Sequence, residues 1–374
     1  MSNKALLIGF FNPLSEVADA GSPAGSKVQH QILNSLSKSY DEAKAFVLSE
    51  KRAWPYSDLI EKPRRFGNIY YPFLFNFKSI KFLVFSFILL VHVISNRYKV
   101  VYQYNSYFFV NVTCLILRLF GRKNVLILQD IHCNASFFKS IRQGRFFEWL
   151  ALQIARLAYT KILPISEAIV QDFHFKKEKC LVWAGGIIGD VEADSSEGEL
   201  AEYGVFAGTL MPYNGAYDLC KAWLDHNINL PLHIFGDGAD KEKILELAQT
   251  NPFIIFHGKV PPEEVKRYTT TALFNFCLRY DKGINQRYFF PSKFFDVYTC
   301  QGYVVVNDFY GLTERMKHNL LIADDELTNL PSLVDFARQN NPRGDYVSRI
   351  NYAKQHLSWD TCINKIYQNL HKKD

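Results

Sequence analysis

Short apolar runs recur along this chain, many of them closed by glycine, aspartate or serine, with helix-like segments between them. The first series is ALLIGFF (5–11), KVVYQY (99–104), NVLILQD (124–130), KILPIS (161–166) and CLVWAG (180–185). The second is YGVFAG (203–208), LHIFGDG (232–238), FIIFHG (253–258), LFNFCL (273–278) and YVVVND (303–308). Val28–Ser37 and Arg145–Thr160 read as helices. Strands alternating with helices imply parallel sheets covered on both faces. Two such series in 374 residues imply two doubly wound α/β domains. The expected division is 1–186 and 187–350, with a helix over 351–374 packing back toward the first domain. The polar, acidic stretch DVEADSSEGEL (190–200) marks the linker, 186–200.

Charge separates the halves. Residues 1–185 carry 24 Lys and Arg against 12 Asp and Glu, a net +12, while the remainder is −6 within an overall +6. A basic first half suits an anionic partner: nucleic acid, anionic lipid or a phosphorylated substrate. No nucleic-acid motif accompanies the charge, so nucleic acid ranks last. The opening MSNKALLIGFFNP reads as a short strand without a small-residue cleavage site. Seven scattered cysteines with no CxxC pair argue against zinc and suit a reducing cytoplasm.

Two segments invite a membrane reading. FLVFSFILLVHVIS (82–95) is an apolar run of 14 residues between Lys78/Lys81 and Arg97/Lys99. A span needs ~20 apolar residues, so a buried helix is the commoner reading and a helix leaning on a bilayer the sharper one. FFKSIRQGRFFEWLALQIARL (137–157) sets Lys139, Arg142 and Arg145 among Phe, Trp and Leu. That suits an interfacial helix or an ordinary amphipathic helix on a sheet.

Open parallel sheets bind ligands beyond the carboxyl ends of their strands. After the first run, Gly25 and Ser26 form a glycine-containing loop opening a helix, an anion site or a serine-capped loop. Asp130 and His132 follow the third run. In the second half, Gly208 and Thr209 follow a strand, with Asn214 before a helix, and Gly236 and Gly258 end the next two strands. The stretch FFPSKFFDVYTCQG (289–302) is the richest. Ser292 stands ready to cap a helix, Lys293 adds a cation, and Asp296 lies one turn deeper. Either Lys293 and Asp296 simply pair, or Lys293 takes a diphosphate and Asp296 a ribose hydroxyl pair, as a sugar nucleotide requires.

The order IFGDG, FHGKVPPEEV and FPSKFFDVYTCQGYVVV resembles the GT-B glycosyltransferases, most of all family 4 and its subset with a P-x-K helix. VLILQDIH, LPISEAIVQDF and the tail LSWDTCINKIYQNL (357–370) extend the resemblance over most of the chain. It departs from the family in three places. Thr209 and Asn214 stand where an arginine and a lysine usually hold the diphosphate. Tyr288 stands where the first of two glutamates is common, and Asp296 takes the place of the second.

The resemblance implies two Rossmann-like domains facing a central cleft and a retaining, metal-independent transfer of sugar from a UDP- or GDP-sugar, with no further cofactor. The donor residues it implies are Gly208, Thr209, Asn214, Gly236, Gly258, Lys259, Val260, Arg287, Ser292, Lys293 and Asp296, with Arg279 as a further candidate cation. Asp130 and His132 are the implied catalytic residues, and Gly25 and Ser26 an acceptor or phosphate loop. The expected acceptor is a saccharide or lipid-linked oligosaccharide in bacterial surface polysaccharide or O-antigen assembly. The enzyme would be cytoplasmic, with a peripheral contact on an anionic membrane. Two alternatives share the fold: a catalytically silent sugar-nucleotide-binding partner, and a sugar-nucleotide epimerase. A Rossmann dehydrogenase is disfavoured because no GxGxxG follows the first strand.

Overall fold

The computed structural model describes residues 3–19, 23–78, 80–189 and 200–372. The acidic part of the expected linker, 190–199, lies outside them. In chain order the strands are β1 Lys4–Phe10, β2 Glu42–Leu48, β3 Ile60–Glu61, β4 Arg64–Phe66, β5 Ile69–Tyr71, β6 Leu74–Phe75, β7 Val100–Tyr104, β8 Lys123–Leu128 and β9 Lys161–Pro164. The second series is β10 Ala201–Ala207, β11 Leu232–Phe235, β12 Ile254–Gly258, β13 Ala272–Cys277, β14 Tyr303–Asn307 and β15 Leu321–Ala323. Contacts divide the chain into a unit of residues 1–188 with 358–374 and a unit of residues 189–357.

The first unit carries a sheet of order β4-β5-β2-β1-β7-β8-β9, parallel except at β4–β5. Buried Leu, Ile, Val and Tyr side chains on its strands explain the continuous apolar runs. β2 has no counterpart among the runs read from sequence. Its start, EAKA, is made of good helix formers, but β1 pairs with it along its whole length, Lys4 to Glu42 through Phe10 to Leu48. Lys4 and Lys44 both pair with the Glu42 carboxylate. CLVWAG is not a strand. It runs beside β9, with the Leu181 and Trp183 amides donating to Ile162 and Pro164, yet forms only a single bridge at Cys180.

Helix Pro23–Ser39 is locked to the end of β1 by Gln29, which both accepts from the Phe10 amide and donates to its carbonyl at 2.9 Å. The last helix, Trp359–His371, packs on that helix through Trp359, Ile363 and Ile366, with Asp360 bound by Ser35 at 2.5 Å and Lys38 at 2.7 Å. Helix Ile80–Ser95 buries Phe85, Ser86, Leu89 and Val93 and leaves its other face exposed. The expected burial therefore holds for one face only.

The second unit has a six-stranded, all-parallel sheet of order β12-β11-β10-β13-β14-β15. Chain order reverses between β10 and β13, so the switch-point crevice opens between the ends of these two strands. Helix Arg343–His356 belongs to this unit. It supplies Arg349, which is fully buried. Its guanidinium donates to the carbonyls of Tyr298 (3.1 Å), Asn319 (3.1 Å), Cys300 (2.7 Å) and Gly302 (2.7 Å). A buried cation is tolerable when its donors are all engaged, and here they fix the end of helix Lys293–Tyr298. Arg349→Met keeps the volume but strips four carbonyls of their donor. It is expected to destabilise the unit by about 3–5 kcal/mol, read as a lower midpoint in urea denaturation with an unchanged slope.

Candidate functional site

At the switch point of the second unit the chain after β10 is folded back tightly on its neighbours. The Gly208 amide donates to Phe235 (3.0 Å), the Leu210 amide to Asp237 (2.9 Å), and the Gly236 amide to Gly258 (2.8 Å). The strand ends of β10, β11 and β12 are thereby tied in a row. At Gly236 (φ +137°) a Cβ would lie 1.8 Å from the Gly208 carbonyl oxygen, and at Gly238 (φ +158°) 2.5 Å from that of Leu210. No side chain fits there. These glycines admit the close approach of the Gly208–Leu210 backbone.

The same packing decides which amides remain. Of Gly208, Thr209 and Leu210, only the Thr209 amide has no partner among the described residues. Its carbonyl accepts from the Met211 amide at 2.9 Å and from the Asn214 side chain at 2.7 Å. Asn214 in turn accepts from Arg279 Nη1 at 2.7 Å.

Arg279 follows β13, on the other side of the switch point. Its guanidinium lies 4.8 Å from the centre of the Tyr213 ring. Its own amide donates to Asn307 Oδ1 at 2.8 Å, and its carbonyl accepts from Asn307 Nδ2 at the same distance. The backbone is thus held on both sides and the side chain is aimed at the Thr209–Asn214 loop. Burial lowers its pKa, but an arginine remains charged. No carboxylate pairs with it among the described residues, and its Nε is buried without a partner. A half-buried cation left without a counter-ion makes this crevice a candidate anion site.

Lys293 completes the group, with its Cγ 3.9 Å from where a Cβ of Gly208 would sit. Its ammonium pairs with Asp296 Oδ2 at 3.0 Å, and both side chains are about half exposed. The simple pairing is therefore present; an exposed pair of this kind contributes only about 0–1 kcal/mol and opens readily to a competing anion. Ser292 does not cap the helix as expected. Its backbone is already helical (φ −59°, ψ −29°) and its side chain makes no cap bond. Tyr288 is buried, Arg287 is exposed beside the Tyr310 ring, and Lys259 is exposed. Val260 packs on Val205, Phe235 and Ala272.

Asp130, His132, Gly25 and Ser26 lie in the first unit. Asn105, in a left-handed conformation (φ +55°), accepts from the amides of Gln129 (2.9 Å) and Asp130 (3.1 Å) and donates to Asp130 Oδ2 at 2.9 Å. Glu148 Oε1 accepts from the His132 amide at 2.8 Å and lies 3.8 Å from its Nδ1, an ion-pair contact beyond hydrogen-bond length. Glu148 raises the His132 pKa. Burial alone would raise the Glu148 carboxyl, but His132 outweighs it and the net shift is downward. Ser26 does not open its helix. The helix begins at Pro23, so Ser26 sits in the first turn, buried and with no partner for its hydroxyl. Glu148 escaped the sequence reading, although it is the sole carboxylate between residues 131 and 166.

No family model matches the sequence, and no curated protein matches it. Solved structures do. HepE from Anabaena in complex with UDP-glucose aligns with 98% of this chain and 99% of its own, at a TM-score of 0.64 and 16% identity. Sucrose-phosphate synthase from Thermosynechococcus elongatus does so over 98% and 99%, at 0.63 and 13%. The lipopolysaccharide outer core galactosyltransferase WaaB in its apo form does so over 98% and 99%, at 0.62 and 13%. The fold is GT-B. At these identities the likeness concerns architecture, and the chemistry rests on the residues above.

The His132–Glu148 contact is open to titration. A raised imidazole pKa favours the folded state below the ordinary 6.5, and the contribution is lost as pH rises through the folded value. Proton NMR should find His132 titrating above 6.5, and Glu148→Gln should lower its pKa. An unchanged pKa in the variant would show that Glu148 is not the cause.

Proposed function

We propose that this protein transfers a sugar from a nucleotide-sugar donor to a hydroxyl acceptor. The observation that carries the reading is Arg279: a guanidinium without a carboxylate among the described residues, at the switch-point crevice, bound to Asn214 of the loop that carries the unpaired Thr209 amide. A diphosphate seated there takes charge-assisted hydrogen bonds from Arg279 and Lys293 and one from the Thr209 amide. These donors neutralise the charge that develops on the leaving diphosphate, so this chemistry needs no metal ion. Arg279 stands in for the loop cations whose positions are Thr209 and Asn214. Released from Lys293, the Asp296 carboxylate accepts from the ribose hydroxyls, and the backbone at Gly258–Val260 borders the base.

UDP is the nucleotide of first choice because HepE, which shares the fold, was solved with UDP-glucose. We further read the transfer as retaining and the acceptor as a saccharide, in the setting of surface polysaccharide assembly. The acceptor hydroxyl is assigned to Asp130 and His132 of the first unit, with Glu148 raising the imidazole pKa. The silent-partner reading drew on the neutral residues Thr209, Asn214 and Tyr288, and Arg279 answers it by restoring a cation.

Calorimetry with UDP and UDP-glucose tests the assignment. Arg279→Met should weaken nucleotide binding about ten- to a hundredfold, the loss of one to two charge-assisted hydrogen bonds. Arg279→Lys, which keeps the charge, should recover part of it. Asp296→Ala should weaken UDP but not pyrophosphate, whose binding should hold or strengthen as Lys293 is freed. Wild-type affinity in Arg279→Met would remove the diphosphate site from this crevice, and UDP-glucose binding without turnover on any acceptor would favour the silent partner.

A further inference from the structure

On helix Ile80–Ser95 the exposed residues Ile80, Leu83, Phe87, Val91 and Ile94 follow one another at intervals of three and four. That spacing keeps them on a single stripe, about 20 Å long at the helical rise. Phe87, in the middle, is 68% exposed. Such an unbroken apolar row facing solvent is costly unless something covers it. The charges flanking it along the chain have one sign. Lys78, Arg97 and Lys99 are exposed at the two ends, and no acidic residue occurs from 78 to 99.

A second patch repeats the composition. Phe138, Ile141 and Phe147 are exposed on 137–147, interleaved with exposed Lys139, Arg142 and Arg145. Residues 133–147 again contain no acid. The two patches adjoin. Phe82, in the first turn of the helix, stacks on Tyr107 at 5.8 Å, and the next residue, Phe108, meets Phe147 at 5.6 Å. Bulky apolar side chains with only cations among them match an anionic lipid surface, where the rings enter the acyl boundary and Lys and Arg meet the phosphates. No helix among the described residues is long and apolar enough to cross a bilayer.

We propose that this face of the first unit, the Ile80–Ile94 stripe with the Phe138–Phe147 patch, docks on the surface of an anionic bilayer. The inference needs nothing from the donor site, and its readout involves no sugar.

Co-sedimentation of the full chain with vesicles tests it. The protein should pellet with vesicles of phosphatidylcholine and phosphatidylglycerol and stay in solution with phosphatidylcholine alone, and high salt should weaken the binding. Leu83→Asp with Phe87→Asp should lower partitioning more than about tenfold. Lys139→Glu, Arg142→Glu and Arg145→Glu together should lower it roughly a hundredfold or more. These positions are exposed, so UDP affinity, where the wild type shows it, and thermal stability should be retained. Equal partitioning on neutral and anionic vesicles would overturn the proposal. So would self-association in sedimentation velocity that Phe87→Asp abolishes while vesicle binding is absent, which would assign the stripe to a second copy of the chain.

Discussion

A guanidinium held half out of water without a carboxylate beside it constrains everything around the β10–β13 switch point. Asn307 pins the Arg279 backbone on both sides, the Tyr213 ring covers one face of its guanidinium, and Asn214 takes a single N–H. None of these neutralises the charge. The fold holds the cation in place and leaves its field directed at the loop after β10. Ligands enter parallel sheets at such switch points because strand-end amides converge there. In this chain the convergence is spare, since tight packing has already used the amides on either side of Thr209.

Two arginines in the same unit show how surroundings set the role of one side chain. Arg349 is buried and surrounded by four backbone carbonyls. Each of its three nitrogens is engaged and it is a structural pin. Arg279 is less buried and keeps a donor without a partner. Arg349 holds the end of helix Lys293–Tyr298, and that helix carries Lys293 beside Gly208. The structural arginine thereby positions a cation that shares the crevice with the other.

The alternation of apolar runs made the α/β class and both sheets legible, because parallel strands buried on both faces leave continuous hydrophobic tracts. β2 escaped because EAKA favours a helix until β1 pairs with it, and CLVWAG misled because apolar content does not by itself make a ladder. Gly236 showed its importance in sequence but not its reason, which is contact with Gly208 from another strand. Ser292 looked like a cap because its residue type allows it, and only its helical backbone rules that out. Glu148 and Arg349 act through partners 16 and 30 or more residues away along the chain, beyond the reach of local spacing. The exposed stripe on Ile80–Ser95 is invisible in a run where nearly every residue is apolar, since only packing decides which face is covered.

The most direct test of the account is a crystal structure of the protein with UDP. The account predicts diphosphate oxygens within hydrogen-bond distance of Arg279, Lys293 and the Thr209 amide, with the Lys293–Asp296 pair opened and Asp296 on the ribose. A diphosphate bound elsewhere in the chain, with Arg279 still holding only Asn214, would contradict it.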